Sequence, residues 1–322
     1  MFPDGFDYHR ASSVEEALDL LATHADEATD TEVAVLAGGQ GLLPELKARE
    51  STPDVVVDVS DLDSLRGVES GESVGASESA DAGEFDALAP SDDPLIVGAL
   101  TTHATLAGSP VVSERATVLA ETASAVADRQ IRNRGTLGGN LVEAHPAADL
   151  PAATVAADAT LALAGPDGER TVPAEEFFEG DRETAVDSRE LLTEIRVPSA
   201  RAAGGAYAKK THPASGFALV GVAASVAVRD WTVTDARVVA SGATDAPARL
   251  RGVEDALVGG GADRETIADA TERAGEEVDP EEARADATAS GEFRVHLLSS
   301  YAERAVTSAV ERATGRAAFE GE

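Results

Sequence analysis

The sequence has 322 residues, enough for roughly two or three domains with a well-buried core. It carries 59 acidic against 26 basic residues, and the formal net charge of −33 excludes a nucleic-acid partner, since phosphates would be repelled. It contains no cysteine, which excludes disulfides, a thiolate nucleophile and any iron–sulfur cluster held by this sequence.

The acidic composition also predicts the solvent in which the protein works. Only Lys47, Lys209 and Lys210 are lysines, and so strong a negative charge is tolerated best where salt screens it, so we expect a halophile. No apolar run approaches the length of a membrane span, and residues 1–4 lack the features of a signal peptide, so we expect a cytoplasmic location. The six histidines show no metal-binding spacing, and we expect no metal held by this chain.

Hydrophobic periodicity assigns the first half of the chain. Ser13 followed by Glu16 forms a capping-box pattern at the start of a helix. Pro44 falls in the first turn of another helix, where proline is tolerated. The predicted elements are a helix over 13–25, a strand at 33–36, a helix at 42–47, strands at 55–59 and 95–100, and a helix from 116 to about 128.

Residues 69–94 differ from the rest of this half. They contain eight acidic residues and no basic one, amid serine, alanine and glycine. We predict a solvated, mobile loop that joins two strands, with a functional acidic segment as the alternative.

In the second half, residues 129–140 are rich in glycine and arginine and show no periodicity, so we expect them to be irregular. Helices and strands then mix without strict βαβ order, which favours an α+β fold over a doubly wound sheet. The predicted elements are a helix from 150, strands at 160–164 and 191–197, a connection at 201–205, strands at 217–228 and 231–239, and helices near 253–258, 264–275 and 293–313.

The first of two glycine-rich segments is residues 37–42, which we call the first loop. Gly38 and Gly39 lie between a predicted strand and a predicted helix, where backbone amides and a helix N-terminus can both face an anion such as a pyrophosphate. The alternative is an ordinary tight turn. The pattern is not GxGxxG, so a Rossmann fold is not indicated.

The second segment is residues 136–140, which we call the second loop. Thr136 and Asn140 can add side-chain donors to the amides of Gly138 and Gly139. Asp149, further along, offers an acceptor for a ribitol or ribose hydroxyl or a flavin N–H. Its alternative role is the N-cap of the helix that follows.

The motifs AGGQGLLPELK at 37–47 and QIRNRGTLGGN…HPAADLPAA at 130–153 resemble the flavin subunit of molybdenum hydroxylases. That family includes the medium subunit of aerobic carbon monoxide dehydrogenase and the flavin domain of xanthine dehydrogenase. The resemblance implies a vanillyl-alcohol-oxidase-type fold with FAD between two subdomains, followed by a C-terminal α/β domain of antiparallel strands and helices. We expect an FAD-binding domain at 1–175, with subdomains at about 1–60 and 61–175, and a C-terminal domain at 176–322.

The resemblance also implies a role for each matching residue, and none of these roles is catalytic. Asp149 would hydrogen-bond the cofactor, Leu192 would pack near the flavin ring, and Lys209 would lie near its polar edge. The sequence departs from the family pattern in three places: Gly41 replaces a common serine or aspartate, Ser215-Gly216 replaces the usual acid before Phe217, and the acidic segment 69–94 is longer than in most relatives. The residues implied to wrap the FAD pyrophosphate are Ala37, Gly38, Gly39, Gln40, Gly41, Leu42, Thr136, Leu137, Gly138, Gly139 and Asn140.

In function, the resemblance implies an electron-transfer subunit. A large molybdopterin subunit would oxidise the substrate, a small [2Fe–2S] subunit would relay electrons, and FAD would pass them to a final acceptor, in a dimer of heterotrimers. One alternative is a self-sufficient FAD-dependent oxidase or dehydrogenase of the same superfold. Another is an assembly subunit that has lost FAD. We expect the partner to dock on a less charged patch that includes Leu137, Leu141 and Val142, beside Arg129, Arg132 and Arg134.

Overall fold

The computed structural model describes residues 2–25, 31–70, 93–199, 203–213 and 215–315. The strands are β1 (Asp7–Arg10), β2 (Val33–Leu36), β3 (Val55–Asp58), β4 (Val68–Ser70), β5 (Leu95–Gly98), β6 (Thr160–Gly165), β7 (Gly168–Pro173), β8 (Phe178–Gly180), β9 (Glu183–Thr184), β10 (Leu191–Val197), β11 (Ala203–Thr211), β12 (Ala218–Arg229), β13 (Thr232–Ser241) and β14 (Ala248–Arg249). The helices are α1 (Val14–His24), α2 (Leu42–Ala48), α3 (His103–Gly108), α4 (Pro110–Arg115), α5 (Thr117–Ala125), α6 (Arg129–Arg132), α7 (Leu137–Glu143), α8 (Leu150–Ala156), α9 (Ala174–Phe177), α10 (Arg251–Leu257), α11 (Arg264–Thr271) and α12 (Gly291–Thr314), with 3₁₀ turns at Asp63–Leu65 and Glu272–Glu276.

The first sheet is small and parallel, with strand order β1-β3-β2. All four residues of β3, the central strand, are buried. Helix α1 packs on this sheet through Ala17 and Leu21, and Ser13 caps it by accepting the Glu16 N–H at 3.1 Å. The predicted N-cap is therefore confirmed, while the Glu16 carboxylate accepts from the Ser12 N–H at 2.8 Å and not from Ser13 as a capping box requires.

The second sheet is antiparallel, with strand order β4-β5-β10-β6-β7. Its central strand, β10, pairs with β5 on one side and with β6 on the other. This strand lies beyond residue 175, where the sequence led us to expect the domain boundary. Side chains of α5, α7 and α8 pack on the sheet and form the largest part of its core.

The third sheet, β11-β12-β13-β14, is antiparallel and has its own hydrophobic core. The long helix α12 packs across β11 and β12. The approach is so close that a Cβ added at Gly204 would overlap the Ala309 carbonyl. The predicted arrangement of antiparallel strands and helices in the C-terminal part is therefore confirmed.

The mixed α and β architecture agrees with the predicted fold class, while the vanillyl-alcohol-oxidase subtype stays a prediction. The expectation of irregular structure at 129–140 was wrong, since α6 and the start of α7 lie there. The expected connection at 201–205 was also wrong in part, since β11 begins at Ala203. Most of the predicted acidic loop, residues 71–92, lies outside the described residues. None of the helices in the described ranges is long and apolar enough to cross a bilayer.

Candidate cofactor-binding site

A cavity of about 490 Å³ lies between the first and second sheets. Val33 and Val35 of β2 line one side, and Leu191 and Leu192 of β10 line the other. Eleven of the fourteen residues predicted to hold the cofactor line it: Ala37, Gly38, Gly39, Gln40, Gly41, Leu42, Thr136, Gly138, Gly139, Asn140 and Leu192.

The first loop leaves its backbone amides open. It begins where β2 ends and leads into α2, and Gly39 has a φ of 72°, a left-handed conformation that glycine adopts without strain. Within the part of the chain that the structure describes, no hydrogen bond engages the amides of residues 38–41. The Gln40 side chain donates to Gly38 O at 3.1 Å, which supports the turn from within. Consecutive open amides beside a cavity form a nest suited to phosphate oxygens.

The second loop uses its first amides inside the protein. Leu137 N–H donates to Thr101 O at 2.9 Å, and Gly138 N–H donates to Ala99 O at 2.8 Å. A Cβ added at Gly138 would lie 2.6 Å from Ala99 Cβ, so only glycine permits this contact. Leu137 itself is fully buried in the core of the second sheet and does not line the cavity. These two amides are therefore not available to a ligand.

The second loop presents side-chain groups to the cavity. Thr136 is the N-cap of α7, and its Oγ1 accepts the Gly139 N–H at 3.3 Å, which leaves its hydroxyl proton free for another acceptor. Asn140 Oδ1 is buried and has no hydrogen-bond partner among the described residues. An orphaned buried acceptor beside a cavity fits a ligand that carries O–H or N–H groups, as FAD does.

The two loops touch each other. A Cβ added at Gly38 would overlap the Arg134 carbonyl and lie 2.9 Å from Gly135 Cα. Glycine at position 38 therefore allows the first loop to rest on the backbone that enters the second. The contact holds the open amides of one loop beside the side chains of the other.

A buried histidine supports this junction. His103 Nε2 lies 3.1 Å from Thr136 O, and because a carbonyl only accepts, this nitrogen carries the proton. Burial lowers the pKa of His103 from 6.5 to about 4, so the ring is neutral near pH 7. His103 lines the cavity as well, yet no sequence pattern singled it out.

Asp149 and Lys209 come together, but neither lines the cavity. Asp149 accepts hydrogen bonds from Lys209 Nζ at 2.7 Å and from the Tyr207 hydroxyl at 2.5 Å. Burial raises the pKa of Asp149, while Lys209 opposes the increase. The side chain of Asp149 makes no capping hydrogen bond to α8, so the N-cap alternative is not supported. The pair joins the start of α8 to β11, which ties the second sheet to the third.

Lys209 has a second acceptor, Gly216 O at 3.1 Å. At this departure from the family pattern, a backbone carbonyl therefore accepts from the lysine. The roles of Asp149, Leu192 and Lys209 toward the flavin stay predictions.

The predicted docking patch is only partly a surface. Leu137 and Leu141 are fully buried in the core of the second sheet, because α7 packs them inward, so their assignment to a docking surface was wrong. Val142 is 37% exposed, and Arg129 and Arg134 are exposed.

Besides Asp187 and Glu190, three charged residues that the sequence analysis did not assign to the site line the cavity: Glu45, Glu143 and Arg182. They come from α2, α7 and the turn between β8 and β9. Glu45 lies within the motif at 37–47, but no motif indicates its contact with Arg182, because these residues meet only through the tertiary fold.

Comparison with known protein families agrees with this geometry. The family model described as the FAD binding domain in molybdopterin dehydrogenase matches residues 4–77 and 80–200, and the model described as the CO dehydrogenase flavoprotein C-terminal domain matches residues 205–309.

Individual proteins are similar over almost their whole length. The carbon monoxide dehydrogenase medium chain of Hydrogenophaga pseudoflava is 33% identical over 314 residues, which cover 97% of this chain and 99% of the relative. Caffeine dehydrogenase subunit beta of Pseudomonas sp. strain CBB1 is also 33% identical, with 97% of each chain covered. A chain in the structure of reconstituted CO dehydrogenase from Oligotropha carboxidovorans superimposes with a TM-score of 0.84 at 29% identity, covering 97% of this chain and all of that one.

Proposed function

This chain belongs to the family of FAD-binding subunits of molybdopterin dehydrogenases, and we propose that it passes electrons from iron–sulfur clusters of a partner to a final acceptor. It is an oxidoreductase subunit, and its cofactor is FAD. When bound, FAD supplies a carrier that takes up two electrons and releases them to an acceptor.

The observation that carries the proposal is the pair of loops at one cavity. The open amides of residues 38–41 and the Thr136 hydroxyl would donate to the diphosphate of FAD. Asn140 Oδ1 would accept from an O–H or N–H group elsewhere on the cofactor. The apolar walls from β2 and β10 would exclude water from the rest of the cofactor. In this role the chain binds and orients the flavin and tunes its potential.

The electrons would come from outside these 322 residues, because a cluster needs cysteine ligands and the sequence has none. We therefore propose a small iron–sulfur subunit and a large molybdopterin subunit as partners, assembled as a dimer of heterotrimers.

The partner would dock beside the cavity, on the exposed side of α6 and α7. Arg129 and Arg134 are exposed there and form no ion pair within the described residues, on a chain whose formal net charge is −33. Val142 adds a small exposed apolar contact. A local positive patch would attract an acidic partner that the rest of the surface repels.

Two measurements test this function. The purified chain should bind one FAD non-covalently, which the absorption spectrum and the mass of the cofactor released by acid would show. A tagged chain isolated from its native host in molar salt should recover two further subunits. A chain recovered alone, whose flavin a small substrate reduces rapidly, would instead indicate a self-sufficient oxidase.

A further inference from the structure

An arginine that lines the cavity lies between two carboxylates. Arg182 lies in the turn between β8 and β9, and its Nη1 is 2.6 Å from Glu45 Oε1 on α2 and 3.9 Å from Glu143 Oε1 on α7. All three side chains line the cavity and are only partly exposed. We call these three residues the charge clasp.

The clasp lies at the first loop. A Cβ added at Gly41 would overlap the Glu143 carboxylate, so this carboxylate fills the space that a side chain at position 41 would take. Glu45 lies on α2, the helix that follows the first loop. Two carboxylates thus stand next to the amides proposed to hold a diphosphate, and they would repel it strongly in a partly buried site.

We propose that Arg182 is a cofactor-positioning residue, which pairs with Glu45 and Glu143 across the cavity and so lets the FAD diphosphate settle on the first loop. The inference rests on the proposed position of the diphosphate. The same arginine also links α2, which follows the first loop, to the C-terminal end of α7.

The turn that carries Arg182 is held by its backbone conformation and by a contact of its neighbour. Arg182 has a φ of 59°, which is unusual for a residue other than glycine and defines a tight turn. The neighbouring Asp181 accepts from Arg284 at 3.1 Å, so the hairpin is anchored on the C-terminal part of the chain. Burial raises the pKa of Glu143, while Arg182 lowers it, which agrees with a carboxylate that needs a cation nearby.

The test is a double-mutant cycle on the apo chain, with FAD affinity measured by quenching of flavin fluorescence during titration. Arg182→Gln should weaken FAD binding by about tenfold or more. The substitution removes the positive charge that pairs with Glu45 and Glu143, so these two carboxylates would repel the diphosphate. Adding Glu143→Gln to this variant should restore most of the affinity, and Arg182→Lys should retain most of it. A purely structural role of Arg182 would give no such rescue.

Arg196→Gln is the matched control. Arg196 also contacts two carboxylates, Glu169 at 2.7 Å and Glu194 at 3.0 Å, but it does not line the cavity, and its loss should leave FAD affinity unchanged. If Arg182→Gln fails to fold, Glu143→Gln alone still tests the inference. This variant should bind FAD at least as tightly as the wild type.

Three results would overturn the inference: unchanged affinity in Arg182→Gln, no recovery in the double variant, or weaker binding in Glu143→Gln alone. Each of them would leave FAD binding by the wild type intact. Failure of the wild type to bind FAD would overturn the proposed function together with the inference, so the two failures are distinguishable.

Discussion

The first and second loops both contain a Gly-Gly pair, and both border the same cavity, yet their backbones are used differently. Residues 38–41 keep their amides open, whereas Leu137 and Gly138 donate theirs to carbonyls that follow the end of β5. The glycine pair of the first loop therefore presents donors to a ligand. The pair of the second loop lets the start of α7 pack closely against the second sheet. The two Gly-Gly pairs have different roles because the first faces open cavity space and the second packs against the backbone that follows β5.

This difference has a practical meaning for glycine motifs. A glycine can be required at a position because a ligand approaches its backbone, or because another part of the protein packs against it. Here Gly138 is of the second kind, with Ala99 behind it, and Gly139, one residue later, faces the cavity. The predictions below separate these two kinds of requirement.

The largest expected effect concerns the histidine behind the second loop. The unfolded chain takes up a proton on His103 near pH 6.5, but the folded chain does so only at about pH 4. The free energy of unfolding should therefore fall as the pH drops through this window, by on the order of 3 kcal/mol from this group alone. Urea denaturation at several pH values would measure it.

His103→Gln is the control for this pH effect, because glutamine does not titrate. The wild type should lose more stability than the variant between pH 6.5 and 4, and the two should run parallel above pH 6.5. Parallel curves over the whole range would contradict the low pKa.

Gly138→Val should destabilise the fold whether or not FAD is present. The new side chain would press on Ala99 in a packed interior, and overpacking of this kind costs about 2 to 3 kcal/mol. Thermal unfolding followed by circular dichroism, without FAD, measures the loss. A variant with the same melting temperature as the wild type would show that close packing of Gly138 on Ala99 is not needed for stability.

Gly139→Val should instead reduce FAD binding and leave the fold mostly intact. Its Cβ would lie 2.8 Å from Thr136 Oγ1, which can rotate away, and φ at this position is not in the left-handed region. We expect about a tenfold loss of FAD affinity, since the valine occupies cavity space and disturbs the Thr136 hydroxyl. Retention of stoichiometric, tightly bound FAD in the folded variant would count against the site.

Thr136→Val should have the smallest effect. It removes the N-cap of α7, worth about 1 kcal/mol of stability, and the hydroxyl that faces the cavity. Thr171→Val serves as a comparison, because Thr171 is exposed on β7 and lies away from the caps of the described helices. Equal melting temperatures in Thr136→Val and the wild type would mean that the cap contributes nothing measurable.

Long periodic elements could be predicted from the sequence because their signal is local. The pattern of α12 gave its position within two residues at either end, and the alternation in β12 and β13 gave the hairpin. Helices α6 and α7 were missed because four and seven residues carry too little periodicity, and glycines weaken what remains. Strand β11 was missed at its start because Gly204 is there to admit α12, which is a tertiary requirement.

For the site, the motifs were sufficient to find both loops and FAD, but not how each loop works. Nothing local distinguishes an amide that faces a cavity from one that faces Ala99. Arg182 was invisible for a related reason, since it meets Glu45 and Glu143 across long stretches of chain. Adaptation to high salt stays a prediction, based on composition alone.

The central position of β10 has a consequence for how the protein is made. During synthesis, β4 and β5 leave the ribosome early and β6 and β7 somewhat later, but these two hairpins have no direct contact in the sheet. They become one sheet only when residues 191–197 arrive and pair with both. Such non-local closure is slow, and it leaves two strand edges exposed in the nascent chain. We therefore expect the cofactor-binding half to need protection from aggregation until about two thirds of the sequence has been translated.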